Sequence, residues 1–219
     1  MTDATALLRL MSWLSPVFPI GGFAYSAGLE QAVQAGHINQ QAALVDWITV
    51  QSTQGALWND CVILVQAHRG AEQDQTIVEL SQLCLALCVG QERHDETLNQ
   101  GTSFFEAVSH WIEPARLPGR GAPLPVVVGA AAGLERIDPH LAAGAYLHAF
   151  VSNQLQCAIR LSVVGQDGAA KALAGLEPVI ERTARLAACT TLDDLGGATF
   201  IADIASMTHE TLQPRLFLS

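Results

Sequence analysis

Apolar residues along most of the chain recur with the period of an α-helix. Leu80, Leu83, Cys84 and Leu87 fall at the i, i+3, i+4, i+7 spacing, which places their side chains on one helix face. The same pattern predicts helices near residues 4–14, 26–35, 40–69, 74–90, 92–112, 125–136, 139–164, 168–190 and 196–212. No segment has the alternation typical of a strand. We therefore expect an all-α fold, a helical bundle of about nine to ten helices.

Several helix ends carry local signals. Gly36 follows the second predicted helix as a C′ residue, and Asn39 is placed to cap the third. Asp138 precedes Pro139, which is the pattern of an N-cap followed by proline at the first helical position. Ser26 is likewise expected to cap the helix that follows it.

Two segments cannot be continuous helix because proline and glycine interrupt them. The first is Ser15–Tyr25, with the sequence SPVFPIGGFAY, and the second is Glu113–Pro125, with the sequence EPARLPGRGAPLP. A short tail, residues 213–219, follows the last predicted helix. The helices on both sides of the second segment are equally apolar, so we expect residues 1–219 to form one domain.

Composition narrows the class of protein. Hydrophobic residues make up 50% of the chain and charged residues only 15%, so some apolar faces are expected to meet other subunits. A homodimer is the expectation. The net charge of −10 argues against nucleic acid as a partner. The apolar N-terminal stretch is broken by Arg9 and prolines, which predicts a cytoplasmic protein without a membrane span. The five cysteines are expected to be reduced core residues.

Common catalytic motifs do not fit. A phosphate-binding P-loop needs a lysine within a glycine-rich loop, and Lys171 lies between two alanines instead. Gly119 and Gly121 start a dinucleotide-type G-x-G, but Leu124 occupies the third glycine's place. Ser26 lacks the strand that a nucleophile elbow requires. The sequence therefore predicts a protein that is not an enzyme, has no cofactor and does not turn over GTP.

Metal-binding patterns are incomplete. His94 and His209 each lie beside acidic residues, but neighbouring residues on a helix point about 100° apart and do not converge as ligands. Cys84 and Cys88 share a helix face that is otherwise apolar, which favours core packing over metal binding. We predict no metal site. One alternative stays open, a metal-binding or hydrolytic helical enzyme whose site would combine His94, Glu96, His209 and Glu210.

The first irregular segment and the tail are candidates for partner binding. Phe18, Pro19, Gly21, Phe23 and Tyr25 combine aromatic rings with rigid and flexible backbone positions, an arrangement suited to anchoring a partner. A loop that lines the core is the alternative. The tail is also unusually apolar, and its candidate residues are Arg215, Leu216 and Phe217.

Three segments resemble the signatures of the UreF family of urease accessory proteins. The first is Ser15-Pro16-x-x-Pro19-x-Gly21-x-Phe23-x-Tyr25-Ser26-x-Gly28-Leu29-Glu30. The second, Val151-Ser152-Asn153-Gln154-Leu155 followed by Arg160-Leu161 and Gly165-Gln166, is similar to the central helix of that family. The third contains Asp203, Ser206-Met207-x-His209-Glu210 and Arg215-Leu216-Phe217-x-Ser219. Together they span most of the chain in the family's order.

The resemblance implies partners and a role. It implies a non-catalytic scaffold that binds the accessory protein UreD (also called UreH) and recruits the GTPase UreG to apo-urease for nickel insertion. The positions that match family binding sites or signatures are Phe23, Tyr25, Ser26, Glu30, Ser206, His209, Glu210 and Arg215. Phe23 lacks the hydroxyl that some members carry. A generic helical adaptor unrelated to urease is a further alternative.

The fate of the tail in the free protein is a separate expectation. Leu216 and Phe217 follow Pro214, which ends the preceding helix, and a terminal segment has few neighbours to offset its chain entropy. We therefore expect residues 215–219 to be disordered or loosely packed in isolation and to become ordered, together with the Ser15–Tyr25 loop, when UreD binds. A tail that packs on its own helical core is the alternative.

Overall fold

The computed structural model describes residues 2–219, and this part of the chain folds into ten α-helices without a strand. The α-helices are α1 (Asp3–Trp13), α2 (Leu29–Gln34), α3 (Gln41–Gln54), α4 (Ala56–Arg69), α5 (Asp74–Ala86), α6 (Gln91–Val108), α7 (Leu124–Leu134), α8 (Pro139–Arg160), α9 (Gln166–Ala187) and α10 (Phe200–His209). Three short 3₁₀ turns are Gly22–Ala24, Pro114–Arg116 and Leu192–Asp194. The predicted all-α fold is confirmed.

Helix α7 forms the centre of the molecule. Every residue from Leu124 to Ala132 is buried, which is why this helix shows no polar face in the sequence. It packs against α4 and α6, while α8 pairs with α9 and both of these helices also contact α4. The apolar faces of these helices contribute to one continuous hydrophobic core.

Small residues allow α4 and α7 to approach closely. A Cβ atom built on Gly129 of α7 would lie 2.9 Å from the carbonyl carbon of Leu64 and 3.0 Å from Cβ of Ala67. Gly133, one turn later, faces the main chain of His68 in the same way. The two helices touch along their backbones at these positions, so glycine is required for space.

The predicted helix over residues 40–69 is wrong in one respect, because it is two helices. Gly55 adopts an extended conformation (φ −118°, ψ −163°) and separates α3 from α4. A Cβ atom on Gly55 would lie 3.0 Å from Cγ2 of Thr199, in the segment before α10. The break therefore lies at a tertiary contact, which the local spacing of apolar residues does not predict.

The predicted helix ends have mixed outcomes. The carboxylate of Asp138 accepts hydrogen bonds from the amides of His140 and Leu141, which confirms that N-cap. Gly36 has φ +78° and closes α2 as predicted. The prediction for Asn39 is wrong, because α3 begins one residue later with Gln40 at its N-cap position.

Three of the five cysteines are buried, Cys61, Cys84 and Cys157, and Cys88 is half-buried. Burial raises the pKa of the Cys157 thiol to about 12, although the nearby Arg160 lowers it. Cys189 is exposed, so the expectation that all cysteines belong to the core is wrong for this one. Among the helices that the structure describes, none is both long and apolar enough to cross a membrane.

The close contact between α4 and α7 yields a stability prediction. Gly129→Ala should lower the free energy of unfolding by roughly 1–3 kcal/mol, because the new methyl group meets main-chain atoms of Leu64 that cannot move aside. Gly175→Ala is the matched control, since this helical glycine has open space around its Cβ position and the change should stabilise by about 0.5–1 kcal/mol. Urea denaturation measures both. Equal effects of the two substitutions would contradict the backbone contact.

Candidate partner-binding surface

The loop between α1 and α2 has a fixed backbone path. Gly21 and Gly28 adopt left-handed conformations, with φ +72° and +80°, which a residue with a Cβ adopts at a cost. Gly28 is also confined by α10, because a Cβ atom there would lie 2.9 Å from the amide nitrogen of Ser206. These two signature glycines therefore set the direction in which the loop enters α2.

Helix α8 holds the end of this loop. Three of its side chains donate hydrogen bonds to loop carbonyls: Asn153 to Tyr25 (3.0 Å), Gln154 to Ser26 (2.9 Å) and Arg160 to Phe23 (2.6 Å). The Arg160 guanidinium also lies 4.1 Å from the ring centre of Phe217 in the tail. One arginine thus contacts both the loop and the tail.

The tail lies alongside the loop. The amide of Leu218 donates to the carbonyl of Ala24 at 2.8 Å, and the amide of Ser26 donates to the carbonyl of Ser219 at 2.7 Å. The Ser26 hydroxyl donates to the same Ser219 carbonyl at 2.5 Å and accepts from the amide of Glu30 at 3.3 Å. The prediction that Ser26 is the N-cap residue of α2 is wrong, because Gly28 occupies that position, although the Ser26 hydroxyl still binds an amide in the first turn of the helix.

Burial in the tail alternates from residue to residue, as it does in an extended segment. Phe217 and Ser219 are buried, whereas Leu216 and Leu218 are about half exposed. The expectation that residues 215–219 are loosely packed in the isolated chain is therefore wrong. The tail is an ordered part of the fold because Phe217 and Ser219 are buried and the amides of Leu216, Phe217 and Leu218 donate hydrogen bonds to other parts of the chain.

The Glu30 carboxylate is the main acceptor for the tail. It accepts from the amide of Leu216 at 2.7 Å and from the amide of Phe217 at 3.0 Å. Its Oε2 atom also lies 3.1 Å from Nε2 of His209. Glu30 and His209 are both buried, so water does not reach the contact between them.

A second carboxylate completes the arrangement. Oε2 of Glu92, on α6, lies 2.7 Å from Nδ1 of His209, and its Oε1 atom pairs with Arg215 of the tail. Glu210 accepts from the amide of Gln91 at 2.8 Å and so caps the start of α6. His209 is thus held between α2 and α6, and Arg215 is bound within the chain.

A buried polar cluster continues inward from the last residue. The Ser219 hydroxyl donates to Glu96 at 3.0 Å, and Arg93 pairs with Asp60 at 2.5 Å and with Glu96 at 3.7 Å. Burial raises the pKa of Glu96, and the charge of Arg93 and the Ser219 hydrogen bond partly oppose that rise. The tail is therefore connected to the polar interior as well as to α2.

The predicted binding residues divide by exposure. Five are buried and support the surface from below: Phe18, Ser26, Glu30, His209 and Phe217. Gly21, Tyr25 and Ser206 are partly buried. The exposed ones are Pro19, Phe23, Glu210, Arg215 and Leu216. Phe18 packs its ring 5.3 Å from that of Phe104, so in the arrangement seen here it is a core residue.

Several residues of the site were not predicted. Glu92 makes a central contact, but nothing in its sequence neighbourhood separates it from other surface charges. Arg160 lies in a segment that resembles the family, but its contacts with the loop and the tail were not predicted. The outer face of α10 is apolar and exposed along Phe200, Ile201, Ile204 and Met207. The sequence could have indicated this stripe, because the large apolar residues of α10 lie on one helix face and the small buried residues Ala202 and Ala205 lie on another.

The residues of the alternative enzymatic site lie in different surroundings. His94 is partly exposed beside Asp95, while Glu96 contacts Ser219 and Gln100 in the interior. His209 faces Glu30 and Glu92, as described above. Within residues 2–219, no group of three or more histidine, cysteine or acidic side chains is arranged to hold a metal ion.

The acceptor role of Glu30 can be tested by an isosteric change. Glu30→Gln replaces one anionic oxygen that faces His209 and Phe217 with an amide group, and should lower the free energy of unfolding by about 1–3 kcal/mol. Glu177→Gln on the exposed side of α9 is the control and should change it by less than about 0.5 kcal/mol. Thermal or urea unfolding measures both. Wild-type stability of the Glu30 variant would show that these bonds do not hold the tail.

Comparison with known proteins places the chain in a family. The family model described as UreF matches residues 38–177. The chain is 47% identical to urease accessory protein UreF 1 of Brucella anthropi, over 99% of this chain and 96% of that protein. It is 47% and 48% identical to the urease accessory proteins UreF of Rhizobium etli and Rhizobium leguminosarum bv. viciae, over 99% of this chain and 98% of each. The chain therefore belongs to the UreF family of urease accessory proteins.

Proposed function

We propose that this chain is a non-catalytic scaffold of urease maturation. It binds UreD/UreH, recruits the GTPase UreG to apo-urease and so supports nickel insertion into the urease active site. It acts in the cytoplasm as a homodimer, in which each chain is one domain of residues 1–219. UreG, and not this chain, hydrolyses GTP. Family membership supports the maturation role, and the surface described above supports the partner contacts.

The observation that carries the proposal is the loop–tail surface, which we define as Phe23, Leu216 and Leu218. The three apolar side chains are exposed, Phe23 to 71%. The main chain beneath them is fixed by the bond from Leu218 to Ala24 and by the contacts of Glu30. A partner that covers this surface gains apolar burial while ordering little additional backbone.

The packed tail changes how the proposal must be tested. Deletion of residues 215–219 would remove the buried Phe217 and Ser219 together with their partners in the core, so the truncated protein should lose stability as well as binding. The same holds for Arg215→Ala, since Arg215 pairs with Glu92. Substitutions of exposed tail residues separate binding from stability.

The alternatives make different predictions. A metal-binding or hydrolytic enzyme would retain stoichiometric metal after purification without chelator, and the arrangement of His94, Glu96, His209 and Glu210 gives that reading little support. A generic adaptor would show no dependence on UreD. Co-purification with UreD therefore discriminates between the proposed role and both alternatives.

Leu218→Asp should weaken UreD binding by about ten- to a hundredfold, since a charge would replace a leucine that the partner buries. Leu186→Asp is the matched control, because Leu186 on α9 is 56% exposed, against 53% for Leu218, and lies outside the loop–tail surface. Binding to purified UreD is measured by titration, and thermal midpoints verify folding. Equal binding by both folded variants would remove the loop–tail surface from the proposal.

The proposed homodimer is a prediction of mass. Exposed apolar faces on α1 (Leu7, Leu8 and Met11) and on α10 exceed what isolated surface residues explain. Light scattering at micromolar concentration should give a mass of about twice the 23.3 kDa of the chain. A mass equal to that of one chain would contradict the dimer. Leu186→Asp, which lies outside the faces on α1 and α10, is the control and should give the same mass as wild type over a dilution series.

A further inference from the structure

The carboxylates of Glu30 and Glu92 bind residues 215–217 of the tail, and both also contact the ring of His209. Glu30 accepts the amides of Leu216 and Phe217, and Glu92 pairs with Arg215. The Oε2 atom of each carboxylate also contacts a nitrogen of the His209 ring. His209 is fully buried, so water does not replace these contacts when they are lost.

The geometry of the ring places one carboxylate oxygen at each of its nitrogens. Nδ1 lies 2.7 Å from Oε2 of Glu92, and Nε2 lies 3.1 Å from Oε2 of Glu30. Ionised carboxylates only accept hydrogen bonds, so the ring satisfies two of them at once only when both nitrogens donate, and only the imidazolium form carries a proton on each. In a neutral imidazole one nitrogen would present a lone pair to a carboxylate, and one of the two contacts would become repulsive.

The charges around the ring make this contact decisive. Glu30 faces it from α2 and Glu92 from α6, and the tail contributes Arg215 through Glu92. On α10 itself, Glu210 is turned to the amides at the start of α6. Deeper in α6, Arg93 is paired with Asp60 and Glu96 and is not among the direct contacts of the ring. When His209 loses its proton, Arg215 is the cation that remains in direct contact with this carboxylate pair, and its side chain is partly exposed.

We propose that His209 is a proton-dependent latch for the C-terminal tail. With the imidazolium present, Glu30 and Glu92 are neutralised and oriented, and they hold residues 215–217 against α2 and α6. Loss of the proton removes a donor from the buried Glu30 and the partly buried Glu92 and leaves their negative charges less compensated. The closed arrangement, in which the Leu216 and Phe217 amides donate to Glu30, is then destabilised and the tail opens. The loop–tail surface is then intact only while His209 is charged. This inference concerns the isolated chain and does not depend on the proposed partner.

The test follows the ring and the tail in the same sample. The full-length protein is labelled with ¹⁵N, and the His209 ring nitrogen shifts report protonation while amide hydrogen exchange of Leu216 and Phe217, corrected for intrinsic rates, reports the tail. We expect both ring nitrogens to be protonated while the amides are protected. As the pH is raised and the ring becomes neutral, protection should fall by about tenfold or more in the same pH interval.

Two variants complete the test. His209→Gln cannot carry a positive charge, so its tail amides should be unprotected at every pH at which the helices remain folded. His148→Gln is the matched control, because His148 is exposed on α8, and its tail should behave like wild type. If His209→Gln fails to fold, the wild-type titration still decides. A neutral ring with a protected tail, or tail protection that stays constant while the ring titrates, would overturn the proposal.

Discussion

The buried contact between Glu30 and His209 determines how the two ends of the chain are joined. Glu30 lies at the start of α2 and His209 at the end of α10, 179 residues apart, and their side chains meet at 3.1 Å without access to water. A buried carboxylate must be neutralised and hydrogen-bonded, since removing it from water is costly. The tail amides supply two of the required donors, so ordering the tail and satisfying Glu30 are the same event.

This coupling explains why an apolar tail can be part of a folded chain. Fixing each residue costs about 1–2 kcal/mol of backbone entropy, which a few exposed leucines would not offset. The compensation comes from the burial of Phe217 under Arg160 and from hydrogen bonds. Two tail amides donate to Glu30, and Ser219 bonds to Ser26 and Glu96. The extended conformation then turns Leu216 and Leu218 outward, where they remain available to another protein.

Helix α8 gives the loop–tail surface a rigid base. Its side chains bind loop carbonyls, and the helix itself is fixed by its packing against α4 and α9. The close approach of α4 to α7 at Gly129 in turn positions α4 within the core. An interaction surface supported in this way presents its apolar side chains in one geometry, which favours selective binding of a partner over nonspecific association.

The sequence by itself determined the helical class, most of the helices and the cap at Asp138, because the helical period and the capping residues are local properties of the chain. It also identified the loop and tail segments, through their composition and their resemblance to family signatures. Only the tertiary structure decided that Gly55 breaks a helix, that the tail is packed, and that Glu92 and Arg160 belong to the site. Each of these depends on contacts between residues far apart in the chain, for which no local pattern exists. Burial, donors and charge at such positions are set by packing, so the sequence could supply the residues of the surface without their arrangement.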